Sequence, residues 1–295
     1  MKKRTLSNLL LLGGAVIWGA AFVAQSIGAD HIGPFAFGGI RFFLGALVVL
    51  PVLLLRDRKK PRGWDAAPAR DYIKSGLICG CVLFAAATFQ QYGIERTSVG
   101  KAGFVTALYI ILVPLFAFIL YRRRLHKSVI LAAVVAVAGI YLLCMSGGFS
   151  VNAGDLYVFI GSVFWAVQIL MIERFTANLD GLKFALAQFL ACSAVSLIFM
   201  LLFERPTLSG IAAAAPALMY CGFLSVGVAF TIQSVFMKYT DPTVASLMMS
   251  TESVFSAIFG FLILHETLTA RQVCGCALVF AAVIAAQLPQ RSAAK

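Results

Sequence analysis

Thr97 to Leu125 reads TSVGKAGFVTALYIILVPLFAFILYRRRL, and Thr240 to Leu268 reads TDPTVASLMMSTESVFSAIFGFLILHETL, 143 positions later. Without gaps, Thr97 falls on Thr240, Phe118 on Phe261, Leu120 on Ile263 and Leu125 on Leu268, and the mid-segment polar groups Tyr109 and Glu252 coincide. Upstream, Thr88-Phe89-Gln90 meets Thr231-Ile232-Gln233 at the same offset. Nearer each start the offset becomes 147, placing Trp18 on Trp165, Phe37 on Phe184, Arg41 on Gln188 and Phe42 on Phe189. Self-similarity at one long period makes the chain two copies of one unit, 1–149 and 150–295.

Composition decides the kind of unit. Hydrophobic residues make up 61% of the chain and charged ones 12%, about half the charge of a soluble domain. Apolar runs of about 20 residues recur, each long enough to cross ~30 Å of hydrocarbon as a helix. Runs such as Leu44 to Leu55 are continuously apolar, which excludes the alternating strands of a barrel. The expectation is an all-α integral membrane protein of ten transmembrane helices, at 8–28, 33–55, 72–92, 98–120, 128–146, 154–173, 182–203, 213–236, 242–264 and 271–288. The connection from Arg56 to Asp71 is longer than the rest, and its charges, Pro61, Gly63 and Pro68 mark a solvated loop. The basic start, Met1-Lys2-Lys3-Arg4, precedes an apolar run too long for a secretory signal core of about 7–15 residues, so it reads as a permanent span.

Lys and Arg set the orientation. With the N-terminus in the cytoplasm, Arg96, Arg205 and Arg271 face outward and Arg41, Lys74 and Lys101 lie within spans; the other eighteen of the 24 are cytoplasmic. Both termini are therefore expected in the cytoplasm, with the chain in the cytoplasmic membrane. Five spans per unit turn the second copy upside down relative to the first. Accordingly Arg122-Arg123-Arg124 closes the first copy of the opening stretch, whereas His265-Glu266 closes the second. The net charge of +12 is then a topology signal, not a nucleic-acid footprint, with the lipid bilayer as the basic residues' neighbour.

Ten spans in two inverted fives, Trp18-Gly19 and Trp165-Ala166 in the first span of each half, Arg41 in the second, Phe104-Val105-Thr106-Ala107-Leu108-Tyr109 with Pro114, and Glu252 followed by Val254-Phe255 together resemble the drug/metabolite transporter superfamily, EamA type. The resemblance covers nearly the whole chain and implies a transporter with a central substrate site. Two departures stand out. The family often carries Pro directly after the positions of Tyr109 and Glu252, where this chain has Ile110 and Ser253, so unbroken helices are expected there. Lys101 replaces a small residue.

Trp18, Tyr109, Trp165 and Glu252 lie near the middle of four spans, the depth at which transporters built from repeats bind cargo. A carboxylate at the bilayer centre costs at least ~2.5 kcal/mol, so Glu252 is the expected proton-coupling residue; the alternative is a buried ion pair with Lys101 or Arg41. Met248, Met249, Phe255 and Ser256, near Glu252 on its helix, give either an adaptable cargo wall or plain gap-filling between helices. Lys101 either snorkels or attracts a substrate carboxylate. Gln90 and Gln233 share the repeated Thr-x-Gln and serve either cargo or helix bridging. Arg41 and Gln188 are read as structural polar groups facing protein.

The expected substrate set is Trp18, Tyr109, Trp165, Met248, Glu252, Lys101, Gln90 and Gln233. The seven Cys residues all fall in spans without metal spacing, and His31, His126 and His265 sit at span ends, so no metal or cofactor is expected. No nucleotide motif appears. An intramembrane enzyme lacks its nucleophile, base or metal set and is not expected. Gly76-x-x-x-Gly80 allows close helix contact, within the chain or in a homodimer. The function these features fit is secondary transport of a small organic metabolite, an amino acid or amine, by alternating access, with proton-coupled export as one form. A lipid-linked-metabolite flippase and a non-transporting sensor on the same scaffold are the alternatives.

Overall fold

The computed structural model describes residues 2–60, 67–97, 99–122, 127–144, 152–264 and 269–287. Of the residues singled out above, Met1, Pro61, Gly63, Arg123, Arg124, Leu125, His126, His265, Glu266 and Leu268 lie outside it. In a hydrocarbon surround every backbone N–H and C=O must be satisfied within its own segment, and the described residues are helical almost throughout. In chain order the helices are α1 (Lys2–Ala29), α2 (Pro34–Arg58), α3 (Ala69–Ile94), α4 (Val99–Ala107), α5 (Tyr109–Tyr121), α6 (Lys127–Cys144), α7 (Ala153–Thr176), α8 (Gly181–Phe203) and α9 (Leu208–Met219). A π-helical segment, Tyr220–Phe230, leads into α10 (Thr231–Phe236), followed by α11 (Pro242–Met249), α12 (Glu252–Leu264) and α13 (Ala270–Gln287).

Eight stretches among the described residues are helical, long and apolar enough to cross a bilayer, with α4–α5, α9–α10 and α11–α12 each counting as one. The fifth and tenth expected spans appear as shorter apolar helices, Ile130–Leu142 and Ala270–Ala285. The fold is therefore an all-helical membrane protein with eight full-length candidate spans and two shorter ones.

The expectation of no backbone break at Tyr109 and Glu252 is overturned, the breaks falling immediately before them. Leu108 separates α4 from α5, and Ser250-Thr251 separates α11 from α12. Proline is not needed because other groups disrupt the ladder. The Leu108 N–H reaches the carbonyl of Val105 and the Thr251 N–H that of Met248, each a three-residue step. The hydroxyls of Ser250, Thr251 and Ser253 donate to the carbonyls of Leu247, Met248 and Ser250, at 2.8, 2.7 and 2.6 Å. Such back-bonding competes with the helical partners and bends the chain.

Polar clamps tie the ends of the antiparallel pair α2 and α8. At the basic end Arg56 grips Asp180 with two bonds of 2.9 and 2.8 Å, while the Asp180 side chain also caps α8 by accepting from Leu182 N and Lys183 N. At the opposite end the Glu204 carboxylate accepts from Phe35 N and Ala36 N, at 2.9 and 2.8 Å, and so caps α2. Gly33 makes room for this: a Cβ there would stand 2.4 Å from the Glu204 carboxylate. Gly76 and Gly80 meet Ala187 and Ala191 of α8, so the GxxxG contact is internal to the chain.

Gly33 has φ −70° and ψ 166°, which alanine adopts freely, so Gly33→Ala tests the clamp and not the backbone. Losing the two charge-assisted caps is expected to cost about 1–3 kcal/mol and to lower the melting temperature in detergent. Gly13→Ala, whose Cβ would meet nothing within 4 Å, is expected to leave it unchanged or raise it. Equal melting temperatures for the two variants would dismiss the clamp.

Candidate functional site

The middle of the bundle holds a narrow cavity of about 50 Å³, smaller than the ~300 Å³ at which small-molecule sites begin, so its side chains stand close together in this conformation. From α1 it is lined by Trp18, Phe22 and Gln25, from α2 by Arg41, and from α3 and α4 by Gln90 and Thr106. Tyr109 opens α5 and Glu252 opens α12, so both breaks face the cavity. Trp165 and Ile169 come from α7, Ser225 and Phe230 from the π segment, Gln233 from α10 and Met249 from α11.

Each break supplies a polar residue at a helix start. The Tyr109 hydroxyl donates to Glu252 Oε1 at 3.1 Å, and Glu252, 6% exposed, sits in the first turn of α12, where the helix dipole favours negative charge. Among the described lining residues Glu252 is the one acid and Arg41 the one base. Aromatic rings fill the rest. Phe230 is the hub, with ring centroids 4.9 Å from Trp18 and 5.5 Å from Trp165, backed by Phe42 and Phe189 at 6.1 and 6.4 Å. Ring faces and the buried carboxyl attract positive charge, and the Arg41 guanidinium in the same lining opposes it.

The glutamines repeat a contact. Gln90 Nε2 donates to Thr106 Oγ1 at 3.1 Å, and Gln233 Nε2 points to Met249 Sδ at 3.6 Å. Thr106 and Met249 stand at the same offset as Gln90 and Gln233. Arg41 Nη1 donates to Gln25 Oε1 at 2.7 Å, and the guanidinium lies 5.4 and 5.1 Å from the rings of Phe37 and Phe42.

Six of the expected substrate residues, Trp18, Tyr109, Trp165, Glu252, Gln90 and Gln233, line this cavity together. Two do not. Met248 packs in a separate cluster with Ile110, Val244 and Leu247, and Met249 lines the cavity instead, because successive helical residues point about 100° apart. Lys101 lies outside the lining, in the first turn of α4, its Nζ 3.8 Å from Asp155 Oδ2, where Thr97 Oγ1 also donates to Asp155 at 2.5 Å. Glu252 forms an ion pair with neither Arg41 nor Lys101 among the described contacts; its hydrogen-bond partner is Tyr109. Arg41, read from sequence as structural, lines the cavity, whereas Gln188 is fully buried and donates to Ser234 Oγ at 2.7 Å.

The expected substrate set leaves out Phe22, Gln25, Thr106, Ile169, Ser225, Phe230 and Met249, of which Met249 is read from sequence only as part of the wall beside Glu252. Three of them carried a signal: Gln25 is an amide inside an apolar span, and Thr106 and Met249 are repeat equivalents beside residues already singled out. Phe230 carried none, since one of 25 phenylalanines is marked only by its neighbours.

The EamA-like transporter family matches this chain twice, over residues 5–145 and 152–286. A protein of Archaeoglobus fulgidus named an uncharacterized transporter is 30% identical over 286 residues, covering 97% of this chain and 87% of the relative. The uncharacterized transporter YoaV of Bacillus subtilis is 23% identical over 278 residues, covering 91% and 92%. A solved crystal structure shares the fold with a TM-score of 0.79 at 22% identity, covering 96% of this chain and 97% of that one. With the family spanning both halves, and with a buried polar and aromatic cavity between them, this chain belongs to the EamA-like transporter family.

Proposed function

We propose that the chain is a secondary transporter of ten helices, built as two inverted five-helix repeats, 1–149 and 150–295, that moves a small organic amine or amino acid across the cytoplasmic membrane by alternating access. The observation that carries this reading is the pairing of the cavity wall. Trp18 and Trp165, Phe22 and Ile169, Gln90 and Gln233, Thr106 and Met249, and Tyr109 and Glu252 are five repeat-equivalent couples, and all ten residues line one cavity. A contact between equivalents, such as Tyr109 to Glu252, arises where a residue lies close to a two-fold axis relating the repeats.

Helix packing supports the same axis. α3 lies against α8 as the π segment lies against α2, α3 against α7 as the π segment against α1, and α5 against α7 as α12 against α1. α2 with α8 and α6 with α13 are equivalents that pack on each other. Glu252 is the proposed coupling group: a cationic amine favours its ionised form and a proton competes with that amine for the same carboxylate. Both termini are proposed to be cytoplasmic, because eighteen of the 24 Lys and Arg in the sequence then fall on the cytoplasmic side.

Counterflow in proteoliposomes, using labelled amines and amino acids, tests transport. Exchange of at least one of them is expected; binding without exchange would favour a sensor, and exchange of lipid-linked cargo alone a flippase. In a version lacking native cysteines, Lys60→Cys is expected to resist an impermeant thiol reagent applied outside cells and Asp30→Cys to react. Labelling of Lys60→Cys from outside would reverse the orientation.

A further inference from the structure

Four lining residues break the pairing: Ser225 and Phe230, whose equivalents Val82 and Ala87 do not line the cavity, and Gln25 and Arg41. Gln25 and Arg41 line the cavity toward the end opposite the basic residues, but their equivalents, Ile172 and Gln188, are fully buried away from it. Gln188 is held in that withdrawn position by donating to Ser234 at 2.7 Å, and it accepts from Cys79 Sγ at 3.4 Å. Ser234 is the repeat equivalent of Gln91, so the matching bond in the first half would join Arg41 to Gln91. That bond is not made. Arg41 Nε and Gln91 Oε1 are both buried and lack hydrogen-bond partners among the described residues, while Arg41 reaches Gln25 and Gln91 Nε2 donates to the Gln25 carbonyl. The two halves thus hold equivalent residues in two arrangements, one lining the cavity and one withdrawn, and the first half leaves unpaired the two atoms that the second arrangement would join.

On the inverted-repeat reading, we infer that these arrangements exchange, and that Arg41 is a specificity-determining residue presented to cargo only when the cavity faces the end opposite the basic residues. When the cavity faces the basic end, Arg41 withdraws to Gln91, and neutral Gln188 and Ile172 take the lining positions. The cavity then carries the Glu252 carboxyl without a neighbouring cation. An amine is held best from that side and is released on the other, where Arg41 repels it; a zwitterion finds a partner for its carboxylate only there. The Arg41 and Gln188 difference gives the carrier a built-in polarity toward export of cationic amines. Guanidinium stays charged at every working pH, so the polarity does not depend on titration of Arg41.

The test reads cavity charge directly and needs no known cargo. In the cysteine-free protein, reconstituted in one known orientation, the Ser225→Cys thiol is probed from the side opposite the basic end and the Ile172→Cys thiol from the basic side. The probes are an anionic and a cationic methanethiosulfonate, the sulfonatoethyl and trimethylammonium-ethyl reagents. The Ser225→Cys thiol is expected to prefer the anionic reagent, and Arg41→Gln to lower that preference roughly tenfold, the scale of a unit charge focused in a low-dielectric cleft. Arg41→Lys is expected to keep it. The Ile172→Cys thiol is expected to react from the basic side, to prefer the cationic reagent, and to be indifferent to Arg41→Gln. Adding Gln188→Arg should turn it toward the anionic reagent. An equal change at both thiols on Arg41→Gln, or no change at either, would overturn the inference while leaving alternating access intact. An Ile172→Cys thiol that never reacts from the basic side would remove alternating access itself and the inference with it.

Discussion

Glu252→Gln is expected to abolish substrate accumulation driven by a pH gradient, at least tenfold, while exchange of cargo for cargo continues. The amide keeps the shape of the carboxyl and can still accept from the Tyr109 hydroxyl, 3.1 Å away in the wild type, so the wall of the cavity stays in place. It cannot take up or release a proton. On the proposed function a proton and a cationic amine compete for this one buried carboxylate in the wild type, and that competition would couple the two fluxes. With glutamine, binding is expected to be weaker but nearly independent of pH. Uptake into proteoliposomes with and without an imposed gradient gives the answer. A Glu252→Gln protein that still accumulates cargo in response to the gradient excludes Glu252 as the coupling group, and a protein that merely unfolds would point to a structural role.

Phe230→Ala is expected to be the most destabilising single truncation in the cavity wall. The ring touches Trp18, Phe42, Trp165 and Phe189 at once, and these come from four different helices. Within a bilayer the transfer term that rewards burial from water is small, because lipid is as apolar as the core. What remains is the cavity. At ~24 cal/mol per Å³, a void of about 100 Å³ costs about 2–3 kcal/mol. Leu201→Ala, at a position 76% exposed on the outer surface of α8, loses few packing contacts and is expected to cost less than about 1 kcal/mol. Reversible unfolding in mixed micelles compares the two. A smaller loss for Phe230→Ala than for Leu201→Ala would mean that neighbouring rings collapse into the space.

Both expectations draw on features of different legibility. That the chain crosses a membrane, that it contains the same unit twice, and that Tyr109, Glu252 and the two tryptophans occupy equivalent places were written in one dimension. Apolar run length and repeat offset need no knowledge of neighbours, since the bilayer fixes the length of a span and an offset is read along the chain itself. The helix breaks were half-legible. Without proline the family pattern argued for unbroken helices, yet Ser250, Thr251 and Ser253 supplied hydroxyls that compete for the same carbonyls.

Facing was decided by the packed structure alone. Met248 and Met249 differ by one residue and by about 100° of rotation, and which of them meets the cavity depends on how α11 is turned against its neighbours. Lys101 has the composition of a substrate ligand but stands beside Asp155, 3.8 Å away, in the first turn of its helix. Arg41 and Gln188 occupy one position of the repeat, yet one lines the cavity and the other is buried against Ser234. An offset in sequence places two residues at the same station of the same unit; it does not say that the two units hold the same conformation, because each is packed against the other and not against a copy of its own surroundings.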